Sequence, residues 1–356
     1  MKALRFSVLL IAILFCLPCC NTGKKNANKA LELYNKGAES ANIGNYQQAI
    51  SYYDEATALN PKFAEAFCLK GAALAKLGKN QEAFASCEEA IKITPGLADA
   101  WNNKGVALDG LGRYFDAIAS YSEAIKINPK NAESWNNKGS ALSKVEKYQD
   151  AVVACEEAIK INPKYVEAWI NKSTALNKLG KFDEAIASSD EAIKISQNYA
   201  EAFLNKGVAM AQLGKNDESI ANFDKALKVD PKLFEAWIWK GYAFDELGKY
   251  QEAVNCYDEA IKIDPNYVES WINKSISLSK LKKYQEAIAS CDAAAKIDPK
   301  IVKVWTIKGV DYILIKNYKK ALECFEKAIS LEQDPAELEK LKGMRQSLLA
   351  KLSAND

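Results

Sequence analysis

The sequence predicts an all-α fold in which helix–turn–helix units repeat in tandem along the chain. Three observations lead to this prediction. Aromatic, glycine, alanine and proline residues recur every 34 residues, apolar residues within each period are three and four apart, and glycine or proline stands where such helices must end. The segment "WNNKG" shows the period directly, because it occupies residues 101–105 and returns at 135–139.

The fourth position of the period carries a large apolar side chain throughout. Its members are Leu33, Phe67, Trp101, Trp135, Trp169, Phe203, Trp237, Trp271 and Trp305. Glycine or serine follows four residues later, alanine forms an unbroken column from Ala56 to Ala328, and proline closes each repeat except at Gln197 and Gln333. So many agreeing columns exclude coincidence, and they predict that the fourth-position aromatics are packing residues.

Each period contains two predicted helices. In the repeat that starts at Ala98, "AWNNKGVALDGLG" predicts helix A with its exit, and "YFDAIASYSEAIKI" predicts helix B. Gly112 stands at the turn between them, a usual place for glycine. Asn128-Pro129 ends helix B, because the residue before proline resists helical angles. A small residue such as Gly105 lets two helices approach closely, so we expect a bulky side chain there to overpack the interface.

This pattern resembles the tetratricopeptide repeat family over residues 30–335, without a gap. The resemblance implies a right-handed superhelical solenoid of nine helix-turn-helix units. It also implies that helix A residues at positions two, five, six, nine and twelve line a concave surface that holds ligands. The predicted repeats are 30–63, 64–97, 98–131, 132–165, 166–199, 200–233, 234–267, 268–301 and 302–335. Residues 336–356 predict a capping helix and tail, with Leu338, Leu341, Met344, Leu348 and Leu352 at helical spacing.

Residues 1–20 predict a signal peptide or a lipoprotein-type leader, followed by a polar linker over 21–29. A basic start precedes the apolar run at 6–17, which is short for a transmembrane helix. Leu17, three residues before Cys20, resembles a lipobox in which Cys20 is lipidated, although the two residues between them are not the small ones usual there. A cleaved signal and an uncleaved anchor are the alternatives. We therefore expect an extracytoplasmic protein, secreted or lipid-anchored at the outer face of the cell membrane, with membrane contact only through the leader.

Composition argues against catalysis. The chain has no histidine, which removes the commonest general base and metal ligand, and no glycine-rich phosphate loop or nucleophile elbow is present. We predict no enzyme activity, no catalytic residue, no cofactor and no metal site. A net charge of +2 does not indicate a nucleic-acid partner. The cysteines of the repeats follow the 34-residue period, which predicts buried apolar side chains rather than disulfides.

The sixth position of the repeat is the first candidate binding column. It is asparagine in six of nine repeats, and the predicted peptide-binding members are Asn103, Asn137, Asn171, Asn205 and Asn273. An amide both donates and accepts, as a peptide backbone does, so rungs about 10 Å apart would contact an extended chain every three residues. This resembles the asparagine ladder of peptide-binding members of the family. The alternative is that asparagine only caps or solvates the groove.

Towards the C-terminus the groove becomes apolar. Trp239 and Tyr242 are predicted to bind a ligand, and repeats eight and nine add Ile272, Ile276, Ile307, Val310 and Ile313. Contact with the capping helix is the alternative for the ninth repeat. The second position is acidic in seven repeats, which argues against binding of a C-terminal carboxylate and favours neutral or basic ligands.

The seventh position is lysine in all nine repeats. We expect the lysine stems to cover apolar surface and the ammonium groups to reach solvent or a neighbouring carboxylate. A stripe that binds polyanions is the alternative.

Together these features predict a non-catalytic protein-protein interaction scaffold that binds an extended peptide or partner protein in its concave groove. Two alternatives remain open: an accessory subunit that presents substrates to a separate enzyme, and a structural spacer in an envelope complex. The sequence does not determine the oligomeric state.

Overall fold

The computed structural model describes residues 24–353, and every regular element in that range is an α-helix. The predicted leader at 1–20 and the last three residues lie outside the described residues. The described residues divide into two compact units, with the division between Leu179 and Gly180. The all-α repeat fold predicted from the sequence is confirmed, and within each unit consecutive helices pack against one another.

In the first unit the odd-numbered helices are the A helices and the even-numbered ones the B helices. They are α1 (24–42), α2 (Tyr46–Leu59), α3 (Ala64–Lys76), α4 (Asn80–Ile93), α5 (Ala98–Gly110), α6 (Tyr114–Ile127), α7 (Ala132–Lys144), α8 (Tyr148–Ile161) and α9 (Val166–Lys178). Residues 24–29, which the sequence assigned to a polar linker, are helical and belong to α1.

The second unit begins with a B helix and ends with the cap. Its helices are α10 (Phe182–Ile195), α11 (Ala200–Gln212), α12 (Asn216–Val229), α13 (Phe234–Glu246), α14 (Tyr250–Ile263), α15 (Val268–Lys280), α16 (Tyr284–Ile297), α17 (Val302–Leu314), α18 (Tyr318–Leu331) and α19 (Pro335–Ser353). The predicted repeat boundaries remain a prediction.

In seven of the nine repeats, helices A and B meet at a glycine. A Cβ added at Gly105 would lie 2.5 Å from Cε1 of Tyr121, a ring that is itself buried. Glycines at the same position face Tyr53, Cys87, Cys155, Phe223, Tyr257 and Phe325 in other repeats. The glycine is therefore required by the approach of the partner side chain on helix B.

The turn from helix A to helix B needs a positive φ angle in all nine repeats. Six turns have glycine there, with φ between 71° and 80°. Glu146, Lys282 and Lys316 occupy the other three with φ of 61–64°, a region that side chains other than glycine rarely adopt. After Leu77 the chain closes helix α3 with two backbone bonds, Lys79 N–H to Leu74 O and Gly78 N–H to Ala75 O, which form a Schellman motif.

The fourth-position tryptophans join consecutive repeats. In six repeats the indole Nε1–H donates to the carbonyl of the proline six residues earlier, at 2.9–3.1 Å. The pairs are Trp101–Pro95, Trp135–Pro129, Trp169–Pro163, Trp237–Pro231, Trp271–Pro265 and Trp305–Pro299. This bond explains why the tryptophan and proline columns occur together, and it confirms that these tryptophans are packing residues.

The lysine column also joins repeats. Seven of these lysines pair with an acidic residue on helix B of the preceding repeat: Lys70–Asp54, Lys104–Glu88, Lys172–Glu156, Lys206–Asp190, Lys240–Asp224, Lys274–Asp258 and Lys308–Asp292. The lysine side chains in these pairs are only 14–23 % exposed. Six of the nine lysines also lie over the ring of the fourth-position tryptophan, at 5.0–5.7 Å. The expectation of a neighbouring carboxylate is confirmed.

One junction lacks the acidic partner. Ser122 stands where the other repeats have aspartate or glutamate, and Lys138 makes no ion pair with any residue in the described range 24–353. Its ammonium group still lies over the Trp135 ring, 5.7 Å from the centroid.

Helix α19 covers the last repeat. Leu341 and Leu348 are buried in a cluster with Phe325, and Arg345 pairs with Glu326 at 3.2 Å. Glu326 is the ninth member of the acidic column, so the cap supplies the cation that a tenth repeat would have supplied. Met344, which was predicted to face this core, is exposed instead, because the buried face of α19 runs through residues seven apart.

Candidate functional site

The asparagine column of the first unit lies half-buried on the A helices and links them. Nδ2 of Asn137 donates to Oδ1 of Asn102 at 3.2 Å, and Nδ2 of Asn171 donates to Oδ1 of Asn136 at 2.9 Å. Nδ2 of Asn103 donates to the carbonyl oxygen of Cys68 at 3.3 Å. Each of these three sixth-position asparagines therefore donates to the fifth-position residue of the preceding repeat.

These bonds give the asparagines a structural role that the sequence did not reveal. Asn102 and Asn136, at the fifth position, are buried between helices, so this position does not line an open surface in these repeats. Binding of a peptide by the sixth-position column remains a prediction. If the column binds a peptide, the Nδ2 atoms of these asparagines stay bonded to the preceding repeat, and their Oδ1 atoms would accept from peptide N–H groups.

The acidic row at the second position is solvent-exposed in both units. Its members are Glu65, Asp99, Glu133 and Glu167 in the first unit and Glu201, Glu235 and Glu269 in the second. Exposed carboxylates along the A helices favour neutral or basic ligands, as the sequence indicated.

In the second unit the predicted aromatic pair is formed. The Trp239 and Tyr242 rings make an edge-to-face contact with centroids 5.8 Å apart, and Tyr242 is 41 % exposed. Partial burial and the nearby carboxylate of Glu246 raise the pKa of the Tyr242 hydroxyl. Asn205 and Asn273 are half-buried on α11 and α15.

A cavity of about 320 Å³ lies between helices α15 and α17. We call it the C-terminal cavity, and its lining residues are Ile276, Ser279, Lys280, Thr306, Ile307, Val310, Asp311 and Leu314. Three of the predicted apolar residues, Ile276, Ile307 and Val310, therefore come together. Ile272 lies in the buried cluster against which Ile276 and Ile307 pack, and it does not line the cavity. Ile313 packs in the core beneath the capping helix.

A buried carboxylate at the C-terminal cavity was missed from the sequence. Asp311 is 1 % exposed, and both of its oxygens accept from the Ser279 hydroxyl, at 2.7 and 2.8 Å. Burial raises the pKa of Asp311 to about 6, although the Ser279 hydrogen bond opposes this. The signal was available in the sequence, because the tenth position is alanine in six repeats and aspartate only here.

Asp245 is a second carboxylate whose pKa is raised by burial. It accepts from two residues, Tyr257 at 2.8 Å and Ser277 at 2.6 Å, and burial raises its pKa less far. Asp311 has one donor residue, so its charge is less well compensated.

The repeat cysteines carry no reactive thiol. Cys68, Cys87, Cys155, Cys256, Cys291 and Cys324 are free and buried, which confirms the prediction of apolar packing. Burial raises the pKa of every one of these thiols, so the nucleophilic thiolate is disfavoured.

Metal binding and membrane insertion both bear on function. Among residues 24–353, no three acidic, cysteine or histidine side chains come close enough together to hold a metal ion. Within the same range, no helix combines the length and apolar character needed to cross a membrane.

Comparison with solved structures shows the fold. A tetratricopeptide repeat protein from Parabacteroides merdae ATCC 43184 superposes with a TM-score of 0.52 at 18% identity, over 70% of this chain and 98% of that one. The APC/C hetero-tetramer Cut9-Hcn1 gives a TM-score of 0.51 at 17% identity, over 90% of this chain and 76% of that one. No curated protein sequence matches the chain.

Family models agree with the periodicity. Models described as tetratricopeptide repeat match residues 34–98, 98–131, 132–165, 154–187, 234–267, 256–289 and 302–335. A model described as TPR repeat matches residues 174–214 and 209–248. Proteins of this family are generally protein-interaction scaffolds and are typically non-catalytic. From the 34-residue columns, the stacked helix pairs and these matches, the chain belongs to the tetratricopeptide repeat family.

Proposed function

We propose that this protein is a non-catalytic scaffold that binds an extended peptide or partner protein along its A helices. The observation that carries the proposal is the C-terminal cavity, an open and largely apolar site between two A helices of the second unit. Open apolar cavities of this size are suited to one or two large side chains of a partner.

The chemistry of the site indicates the kind of side chain it accepts. Ile276, Ile307 and Val310 form apolar walls, and the lining carries one carboxylate, Asp311, and one ammonium group, Lys280. The lining therefore favours an apolar anchor without selecting its charge. The exposed acidic row along the A helices favours a neutral or basic segment around that anchor.

The exposed aromatic pair on α13 supplies a second contact in the same unit. Tyr242 offers an open ring face, and Trp239 holds it edge-to-face. In the first unit the Oδ1 atoms of Asn103, Asn137 and Asn171 would accept from the backbone of an extended segment. Backbone contacts of this kind bind a peptide without selecting its side chains.

The experiment is selection of displayed random 12-residue peptides on the full chain, followed by fluorescence polarisation of the recovered peptides. We expect recovered peptides to be neutral or basic with an apolar anchor. Val310→Glu should weaken their binding at least tenfold, because it places a carboxylate in the apolar wall. Val153→Glu is the matched control, since Val153 is a half-exposed valine on helix α8, outside the C-terminal cavity.

Equal affinity of wild type and Val310→Glu would overturn the assignment of the C-terminal cavity. Failure to recover any peptide would favour the structural spacer. Asn137→Ala tests the asparagine column separately, and its melting temperature must be followed because Nδ2 of Asn137 also bonds Asn102.

We further propose that the scaffold acts outside the cytoplasm, secreted or lipid-anchored through Cys20. This proposal rests on the leader sequence at residues 1–20 alone. Metabolic labelling with a palmitate analogue, with fractionation of the labelled cells, tests it: loss of label in Cys20→Ser supports anchoring, an unlabelled wild type refutes anchoring, and an unlabelled wild type in the cytoplasmic fraction refutes the proposal as a whole.

A further inference from the structure

A second and larger cavity, of about 710 Å³, lies at the junction of repeats five and six, inside the second unit. We call it the junction cavity. Ile193 on α10, Phe203 on α11 and Val229 on α12 supply its apolar lining, with Gln197 from the connecting loop and Lys225 and Lys228 from α12. It therefore involves other helices than the C-terminal cavity.

The junction cavity coincides with the loss of a recurring contact. At six junctions a fourth-position indole donates to the carbonyl of a proline, as Trp237 does to Pro231 at 3.1 Å. Here Phe203 replaces the tryptophan and Gln197 replaces the proline. The junction of repeats one and two has lost only the tryptophan, because Phe67 is still preceded by Pro61.

The junction cavity also carries an excess of positive charge. On the B helices of five other repeats a glutamate pairs with a lysine three residues later: Glu89–Lys92, Glu123–Lys126, Glu157–Lys160, Glu191–Lys194 and Glu259–Lys262. In repeat six Lys225 stands in place of the glutamate, so Lys228 loses its partner. Both lysines are exposed, and neither makes an ion pair with any residue that the structure describes.

We propose that the junction cavity is a docking site for an acidic partner segment that carries an aromatic side chain. The partner's aromatic ring packs against Ile193, Phe203 and Val229, the apolar lining of the cavity. Carboxylates beside it neutralise Lys225 and Lys228, which otherwise repel each other one helical turn apart. Three departures from the repeat pattern, at Gln197, Phe203 and Lys225, meet in this one cavity, and each favours the same ligand.

The test uses the full chain and a fluorescein-labelled ten-residue peptide with one tryptophan flanked by glutamates, followed by fluorescence polarisation. Two companion peptides replace the tryptophan by alanine or the glutamates by lysines. We expect the first peptide to bind at least tenfold more tightly than either companion, and its affinity to fall as salt is added.

Two protein variants restore the repeat pattern and should therefore fold. Lys225→Glu recreates the intrahelical pair with Lys228 and should weaken binding at least tenfold. Phe203→Trp with Gln197→Pro rebuilds the tryptophan–proline contact, narrows the cavity and should weaken binding at least tenfold. Lys327→Glu is the matched control, because Lys327 is an exposed lysine at the same helix position in repeat nine.

The proposal is overturned if the tryptophan peptide binds no better than its companions, or if Lys225→Glu and Lys327→Glu weaken it equally. Binding that survives the Phe203→Trp/Gln197→Pro change would also overturn it. Val310→Glu should leave the affinity for this acidic peptide unchanged. Each cavity is therefore tested with its own variant, and failure of the C-terminal cavity as a peptide site is distinguished from failure of the junction cavity.

Discussion

The junction of repeats three and four allows a gain of stability to be predicted. Ser122→Asp places a carboxylate opposite Lys138, in the position that Asp224 occupies opposite Lys240 at 2.7 Å. Lys138 is already held over the Trp135 ring, so little further side-chain freedom is lost when the pair forms. Serine and aspartate have similar helix propensities, and propensity alone should change stability little.

The size of this gain in stability follows from the solvent exposure of the equivalent lysine–carboxylate pairs in other repeats. The lysines are 14–23 % exposed, but their carboxylate partners are 39–56 % exposed, so water screens the attraction. Exposed pairs contribute about 0.2–1 kcal/mol, and the immobilised lysine places this one near the upper end, at about 0.5–1 kcal/mol. For a chain of 356 residues that corresponds to a rise of about 1 °C in the melting temperature.

The assay is thermal unfolding followed by circular dichroism at low and high salt. Ser122→Asp should raise the melting temperature, and the gain should shrink with salt and vanish in the Lys138→Met background. Asp224→Ser is the mirror-image variant and should lose a similar amount. A gain that persists without the Lys138 ammonium would refute the reasoning, because helix or solvation effects would then explain it.

Three further outcomes are expected. Gly105→Ala should lower the free energy of unfolding by about 1–3 kcal/mol in urea titrations, because its new methyl group meets the buried Tyr121 ring; an unchanged midpoint would contradict this packing. Trp271→Phe should lower the free energy of unfolding by about 1–2 kcal/mol in the same assay, because the hydrogen bond to the Pro265 carbonyl is lost. An unchanged free energy of unfolding would show that this bond does not stabilise the fold. Asp311, with a pKa near 6 when folded and an ordinary value when unfolded, holds its proton more tightly in the folded state. The free energy of unfolding should therefore fall as pH rises from about 4 to 6 and stay low above that. Asp311→Asn should abolish this pH dependence and stabilise the fold at pH 7. A variant whose stability falls with pH as steeply as that of the wild type would contradict the burial argument.

The fold could be predicted because each periodic residue solves the same local problem in every repeat. Gly105 must be small against Tyr121, and Trp101 must reach the proline carbonyl, so both features recur and are visible without a structure. The lysine column was predicted only in outline. Its acidic partner lies 16 residues earlier on another helix, as in Lys206 and Asp190, and that spacing was present in the sequence as a second column.

The candidate site was predicted less completely, because groove positions differ in depth. Asn102 and Asn136 are buried between repeats, whereas their neighbours one residue later reach the surface, and a position number alone does not give that difference. Met344 was misplaced for a related reason. Several apolar residues of α19 have helical spacing, and only packing against α18 decides that Leu341 and Leu348 are the buried ones.

In a chain this regular, residues that follow a column are explained by the fold, so residues that depart from it are the ones that need another explanation. Asp311 in an alanine column places a weakly compensated carboxylate beside an apolar cavity. Lys225 in a glutamate column leaves two unpaired cations beside a cavity that has lost its indole. Each departure costs stability, through desolvation or repulsion, that the column residue would avoid. Restoring the column residue should therefore stabilise the fold and weaken binding together, a combination that a purely structural role at these positions does not produce.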